Sequence, residues 1–296
     1  MAIESVWHKL PYEEWKDTLN GLHMKMQILG KVKLELCPFL NQWWQVAFHL
    51  TSTGFSSGLI PYETFVFEFL IDLDQHSITI QSSTGKKNVI PLTGCSVADF
   101  YSQIMKALEG LDIHVTINTL PAEVSDPIRC EDDTLEREYD SNYVNKWWQI
   151  LLQIQRVFDN FRSDFRGKSS PVHFFWGSFD LCETRFSGNK CDPPENGGII
   201  MKYAENEENF TFGFWAGNPS YPKPAFYSYF YPAPNNISDL KCFNKVMGEF
   251  ILDYDDVLNS TSPETLMLNF LKETYQGGAK LAKWNVNELH SELPNE

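Results

Sequence analysis

At 296 residues the chain is long enough for one large domain or two of about 150 residues, and its 43% hydrophobic and 15% aromatic content suffices for a packed core. A formal net charge of -15, with no local cluster of Lys and Arg to offset it, repels phosphate backbones, so no nucleic-acid partner is expected. The opening MAIESVWHKLPYEEW turns polar at once and no apolar run reaches the roughly 18 residues of a membrane span, so the expectation is a cytoplasmic protein with no membrane partner.

PYEEWKDTLNGLHMKMQILGKVKLEL predicts a helix from Pro11 to about Gly30, with Trp15, Leu19, Leu22, Met26 and Leu29 at helical spacing. The period then changes. WWQVAFHLTST, TFVFEFLIDL, SITIQS and KNVIPL are rich in aromatic and β-branched residues, and the turns DQH and TGKK between the later runs suit an antiparallel meander. SVADFYSQIMKALEGL predicts a helix capped by Ser96, with Asp99 three residues on, and DIHVTINTL predicts one more strand.

Residues 121–140, PAEVSDPIRCEDDTLEREYD, combine prolines with an acidic run, the pattern of a surface connection. SNYVNKWWQILLQIQRVFDNFRSDF predicts a second long helix over 141–165. Aromatic strands follow, VHFFWGSFDLCETRF, NFTFGFWAG and AFYSYFYPAP, interrupted by a Pro/Gly-rich insert at 192–198, and SPETLMLNFLKETYQGG closes the series as a helix. The prolines bounding YPKPAFYSYFYPAP point to a sheet edge or rim.

Helix and strand blocks thus recur in the same order. Laying residues 43–56 on residues 174–187 without a gap matches Phe48 to Phe179, Leu50 to Leu181, Thr53 to Thr184, Phe55 to Phe186 and Ser56 to Ser187, which suggests an internal duplication. The expected fold class is α+β, with two similar halves, 1–120 and 141–296, joined by the acidic connection 121–140. Each half would be an antiparallel sheet packed by helices, the pair related by a pseudo-twofold axis with a cleft between them.

LPYEEWKDT, LHMKMQILGK, NQWWQV, SVADFY, SPVHFFWGSFDL and TRFSG resemble signature stretches of a family of bacterial proteins of about this length, known as a domain of unknown function. The resemblance covers nearly the whole chain. It implies a bacterial cytosolic protein and lends no activity, substrate or catalytic residue, so the chemistry rests on the residues themselves.

PVHFFWGSFDLCETRFSG, residues 171–188, carries polar groups that a strand built only to fill a core would not, because each must find a partner once buried. In an ideal strand His173, Phe175, Gly177, Phe179, Glu183 and Arg185 share one face, while Trp176, Ser178, Asp180 and Thr184 share the other. A bulge at Gly177 would instead turn His173, Ser178, Asp180 and Thr184 to one side, gathering an acid/base pair and a hydroxyl beside Trp176. The structural alternative pairs Asp180 with Arg185 or with a helix N-terminus.

On the first helix, His23, Gln27 and Lys31 fall on one side, able to bind a carboxylate or phosphate, or alternatively forming its wet face. Trp43 and Trp176 could form stacking walls, with the hydroxyls of Tyr227, Tyr229 and Tyr231 as polar handles. His23, His49, His173 and Asp180 are the side chains that could converge on a metal. No HExxH, HxH or clustered Cys/His spacing accompanies them and the six cysteines include no CxxC pair, so neither a metal nor a particular cofactor is expected.

The composite expectation is an enzyme acting on a small anionic or aromatic metabolite in the cleft. His173 and Asp180 form its acid/base pair, Arg185 and Lys31 clamp an anion, Trp43 and Trp176 form walls, and His23, Gln27 and Ser178 complete the ligand contacts. The alternatives are a non-catalytic small-molecule-binding protein and a scaffold whose aromatic surface serves homo-oligomerisation.

Overall fold

The period-2 stretches of the N-terminal half form the antiparallel meander that their turns predict. A computed structural model describes residues 6–290 and places β1 (His49–Thr51), β2 (Gly54–Ser56), β3 (Ile60–Tyr62), β4 (Phe65–Asp72), β5 (Ser77–Ser82) and β6 (Lys87–Pro91) in one six-stranded sheet. Its path runs β1-β2-β4-β5-β6, with β3 also paired to β4. Alternation sets the buried face: Phe67, Phe69 and Ile71 of β4 and Ile78 and Ile80 of β5 are buried, each contributing about 1.5–3 kcal/mol. The helices α1 (Tyr12–Leu36) and α2 (Val97–Glu109) pack beside this sheet, and the Ser96 hydroxyl accepts from Asp99 N–H at 3.1 Å as the cap requires.

Two readings of this half change. Helix α1 continues past Gly30 to Leu36, because a Cβ on Gly30 would fall inside the indole of Trp176; the glycine admits a neighbour and does not end the helix. DIHVTINTL keeps a two-residue burial alternation, with Ile113, Ile117 and Thr119 buried and His114, Thr116 and Asn118 exposed, yet it joins no ladder. A two-residue period reports a face to bury and does not by itself report pairing.

The C-terminal half builds a second antiparallel six-stranded sheet in the order β11-β12-β10-β9-β8-β7. Its strands are β7 (His173–Phe175), β8 (Asp180–Lys190), β9 (Glu207–Trp215), β10 (Ala225–Tyr231), β11 (Phe243–Asn244) and β12 (Glu249–Asp253). AFYSYFY is therefore an interior strand, not an edge: its prolines, Pro222, Pro224, Pro232 and Pro234, all lie outside the paired residues, where no ladder N–H is lost. The helices α3 (Ser141–Arg162) and α6 (Pro263–Leu281) cover one face, with Phe158 and Phe161 at 5.0 and 5.1 Å from Phe212 and Tyr275 at 5.3 Å from Phe210. The short helices α4 (Gly198–Ala204), α5 (Tyr254–Leu258) and α7 (Val286–Leu289) complete the half.

The two sheets meet where Phe48 and Phe174 exchange backbone hydrogen bonds, both 2.9 Å, and one contiguous apolar core runs through both halves. Residues 43–56 fold as a tight turn and the β1–β2 hairpin, whereas residues 174–187 include most of the single strand β8. The gapless alignment of those stretches therefore has no counterpart in the strand layout. Among the described residues, no helix is long and apolar enough to cross a membrane.

Candidate functional site

VHFFWGSFDLCETRF is a hairpin, not one strand. Strand β7 ends at Phe175, the turn Trp176–Phe179 reverses the chain with Phe179 in left-handed backbone (φ 59°), and β8 returns with Phe175 opposite Asp180 and His173 opposite Cys182. A four-residue turn shifts the parity of the faces. His173, Phe175, Asp180, Cys182 and Thr184 now share one side, and Phe174, Leu181, Glu183 and Arg185 the other. Gly177 is the turn's close-approach point, because a Cβ there would meet the Glu123 carboxylate at 3.0 Å.

The face bearing Asp180 is the one α3 and α6 leave uncovered. Its neighbours by register are Asn209 and Thr211 of β9 and Tyr227 and Tyr229 of β10, and above them lies a cavity of about 510 Å³. Lys31 and Leu34 at the end of α1, Trp43 and Trp44 of a short 3-10 segment (Asn41–Val46), residues 118–123 and α4 enclose it. Two indole N–H groups hold the enclosure together: Trp43 donates to Ile200 O at 2.9 Å and Trp176 to Val46 O at 3.1 Å. Leu34, Leu120, Ile199 and Ile200 line the cavity and remain exposed, giving it an apolar mouth.

The polar floor has two centres. Asp180 accepts from the Ser178 hydroxyl on one oxygen and from the Tyr227 hydroxyl on the other. Glu205 accepts from Asn209 Nδ2 at 2.5 Å and from the Tyr229 hydroxyl at 3.1 Å, and the Thr211 hydroxyl, 2.9 Å from that of Thr184, donates to Asn209 Oδ1 at 3.1 Å. Burial raises both carboxyls above the ordinary range, against the lowering effect of these hydrogen bonds. Glu123 belongs to an exposed residue, but its carboxyl turns inward over Gly177 and is raised by burial and by Asp180. Burial first, then Asp180, also pushes Glu249 up to about 7.

A model of a family of unknown function, DUF5996, matches residues 7–291, which takes in the hairpin, the floor and the enclosing helices alike. The chain belongs to this family. No curated protein and no solved structure matches it.

Of the residues expected at the site of this DUF5996 chain, Lys31, Trp43, Trp176, Ser178 and Asp180 line the cavity. His173 does not. It shares the face of Asp180, but its ring is packed at 5.3 to 6.1 Å from those of His49, Phe175 and Trp44. Burial pushes it down to about 3, and both Asp180 oxygens are taken by hydroxyls, so the acid/base pair is not formed in this arrangement.

Arg185 lies on the opposite face, fully buried, with its guanidinium 3.7 Å from the Phe161 ring centre and 4.0 Å from Glu183, so it cannot clamp an anion in the cavity. Alternation along β8 is the reason: Arg185 stands an odd number of residues from Asp180, so the two point to opposite faces of the sheet. Among the described residues, no three His, Cys, Asp or Glu side chains form a group that could hold a metal ion.

His23 and Gln27 hold the roof from behind. His23 Nε2–H donates to Gly177 O at 2.9 Å and to Trp176 O at 3.0 Å, and burial pushes its pKa down to about 4, keeping the ring a neutral donor. Gln27 Nε2 donates to Ala122 O at 2.8 Å while its Oε1 accepts from Ala122 N–H at 3.0 Å, pairing with the backbone as a strand would. Gln27→Leu is expected to destabilise the fold by about 1–3 kcal/mol, since two buried backbone groups lose their partners. Hydrogen exchange should show the Ala122 amide opening faster than those of the first sheet.

The sequence reading did not place Glu123, Glu205, Asn209 or Thr211 at the site. The signal for Asn209 and Thr211 was present in NFTFGFW, where polar or small residues alternate with Phe210, Phe212 and Phe214, as expected of a strand with one core face and one wet face.

Proposed function

We propose that this protein binds a small, flat, mostly apolar molecule in the cavity above its second sheet. The observation that carries the reading is the cavity's make-up: about 510 Å³, inside the range of ligand pockets, with indole walls and a few convergent polar groups on one rigid sheet face. The net charge of -15 supports a soluble protein without a nucleic-acid partner.

Native mass spectrometry of the purified protein, run beside elemental analysis, is expected to show a reproducible small-molecule mass that is released on denaturation. Ala204→Trp, which plugs the cavity from α4, should abolish that occupancy while the melting transition is retained. A mass that persists unchanged in Ala204→Trp would place the ligand elsewhere.

A second reading, an enzyme acting on the same molecule, rests on Asp180 and Glu123, which both line the cavity. Both carboxyls are raised by burial, and Asp180 contributes to the shift of Glu123, the kind of mutual perturbation found where carboxyls do acid/base work. Asp180→Asn separates the readings: in an enzyme, turnover of the bound molecule is lost while binding persists, and in a binder only affinity changes.

A further inference from the structure

Three lysines of α1 are buried, and two of them have partners. Lys25, 5% exposed, donates to Leu92 O at 2.5 Å. Lys33, also 5% exposed, donates to Ala47 O at 2.6 Å and to Ser57 O. Lys31 is 6% exposed, and among the described residues its ammonium makes no hydrogen bond or ion pair; its neighbours are the Trp176 ring at 5.8 Å and the thiol of Cys130. Cys130 supplies no counter-charge, because burial pushes that thiol up to about 11 and leaves it neutral.

Lys31 is also the one of the three that lines the cavity. A largely buried lysine whose ammonium finds no acceptor in the surrounding chain is costly, and the cavity that Lys31 lines leaves room for one to enter. The acids of the floor do not fill this role. Asp180 is occupied by Ser178 and Tyr227, Glu205 by Asn209 and Tyr229, and neither forms an ion pair with Lys31.

We infer that the molecule bound in the cavity carries an anionic group, and that the Lys31 ammonium anchors it with the flat body laid along the Trp176 and Trp43 walls. The inference rests on the cavity being the binding site, and names the ligand class as a planar apolar monoanion such as an aryl carboxylate. An ammonium over an indole face keeps a cation at a fixed height above a flat slot, which suits a carboxylate at one end of an aromatic plane.

The test uses a pair of probes differing only in charge, 2-naphthoate and 2-naphthamide, titrated into the full chain by calorimetry and by tryptophan fluorescence. The native chain is expected to bind 2-naphthoate at least about tenfold more tightly than the amide. Lys31→Met should erase that preference and leave the amide affinity within about threefold, and Lys31→Arg should retain part of it. Binding without preference in the native chain, or a preference that survives Lys31→Met, overturns the anchor and leaves the cavity reading intact. Binding of neither probe overturns both.

A second readout needs no ligand. The melting temperature of unliganded Lys31→Met is expected to rise, because Met fills the same space without an unmatched charge, whereas that of Lys33→Met should fall as Ala47 O and Ser57 O lose their donor. A fall in both would return Lys31 to a structural role and sink the anchor.

Discussion

Arg185→Met is expected to lower the stability of the fold by about 3–5 kcal/mol above about pH 8, where Glu183 is charged, the cost of breaking a buried ion pair from one side. Arg185 and Glu183 are both fully buried on the helix-covered face of β8. The guanidinium is stacked 3.7 Å from the Phe161 ring centre and 4.9 Å from those of Phe165 and Tyr275, and donates to Phe161 O. Both Glu183 oxygens lack a hydrogen-bond partner among the described residues, so only Arg185 and Arg162, at 4.0 and 3.7 Å, favour its charged form.

The pH dependence identifies the mechanism. Burial pushes Glu183 up to about 8, while Arg185 and Arg162 pull it down. A carboxyl raised on folding contributes stability that is complete below its ordinary value of 4.5 and lost as pH rises through about 8. Removing Arg185 raises that folded value further, so the variant goes on losing stability above the native value, and its deficit shrinks below about 8, where the carboxyl is protonated in both folded proteins.

Urea denaturation across pH 5–9, an order-of-magnitude window around these shifts, should show this convergence. Glu183→Leu combined with Arg185→Met should recover most of the loss, because an apolar pair of similar bulk carries no desolvation cost. A deficit that is flat with pH and not repaired by the double change would mean that Arg185 acts only through its stacking.

Period and turn chemistry disclosed the two antiparallel sheets, the Ser96 cap and the lie of His23, Gln27 and Lys31 on one side of α1, because these are local properties. Arg185 lies on the face opposite Asp180 by alternation along β8, whereas the face of His173 depended on the length of the turn at Trp176–Phe179, because one residue more or less in a turn exchanges the faces on its two sides. Buried alternation in DIHVTINTL was visible, but pairing depends on neighbours brought close by the fold and has no local signal. Lys31 stood out only once the partners of Lys25 and Lys33 were known, since an unmatched charge is defined by what surrounds it in space.

Gly30→Ala carries the second large effect, and two principles disagree about its sign. In a helix interior, alanine is favoured over glycine by about 0.5–1 kcal/mol, so propensity alone predicts stabilisation. Packing opposes this. A Cβ at residue 30 would overlap the five-membered ring of the Trp176 indole; the residue is 5% exposed and its ring N–H is committed to Val46 O at 3.1 Å.

The ring cannot yield as the tip of a flexible side chain could, because His23 also pins the Trp176 and Gly177 carbonyls of the same turn. Overpacking costs about 1–3 kcal/mol and a lost indole hydrogen bond about 1 more, so packing wins and a net destabilisation of about 2 kcal/mol is expected. The displaced indole belongs to the cavity wall, so 2-naphthamide binding should fall together with the melting temperature. Trp176→Leu in the Gly30→Ala background should restore stability beyond the sum of the single changes, since the smaller side chain vacates the space the new methyl needs. A Gly30→Ala protein more stable than the native one, with binding unchanged, would mean that α1 and the hairpin turn do not meet at this residue, and the roof of the site would have to be built from other contacts.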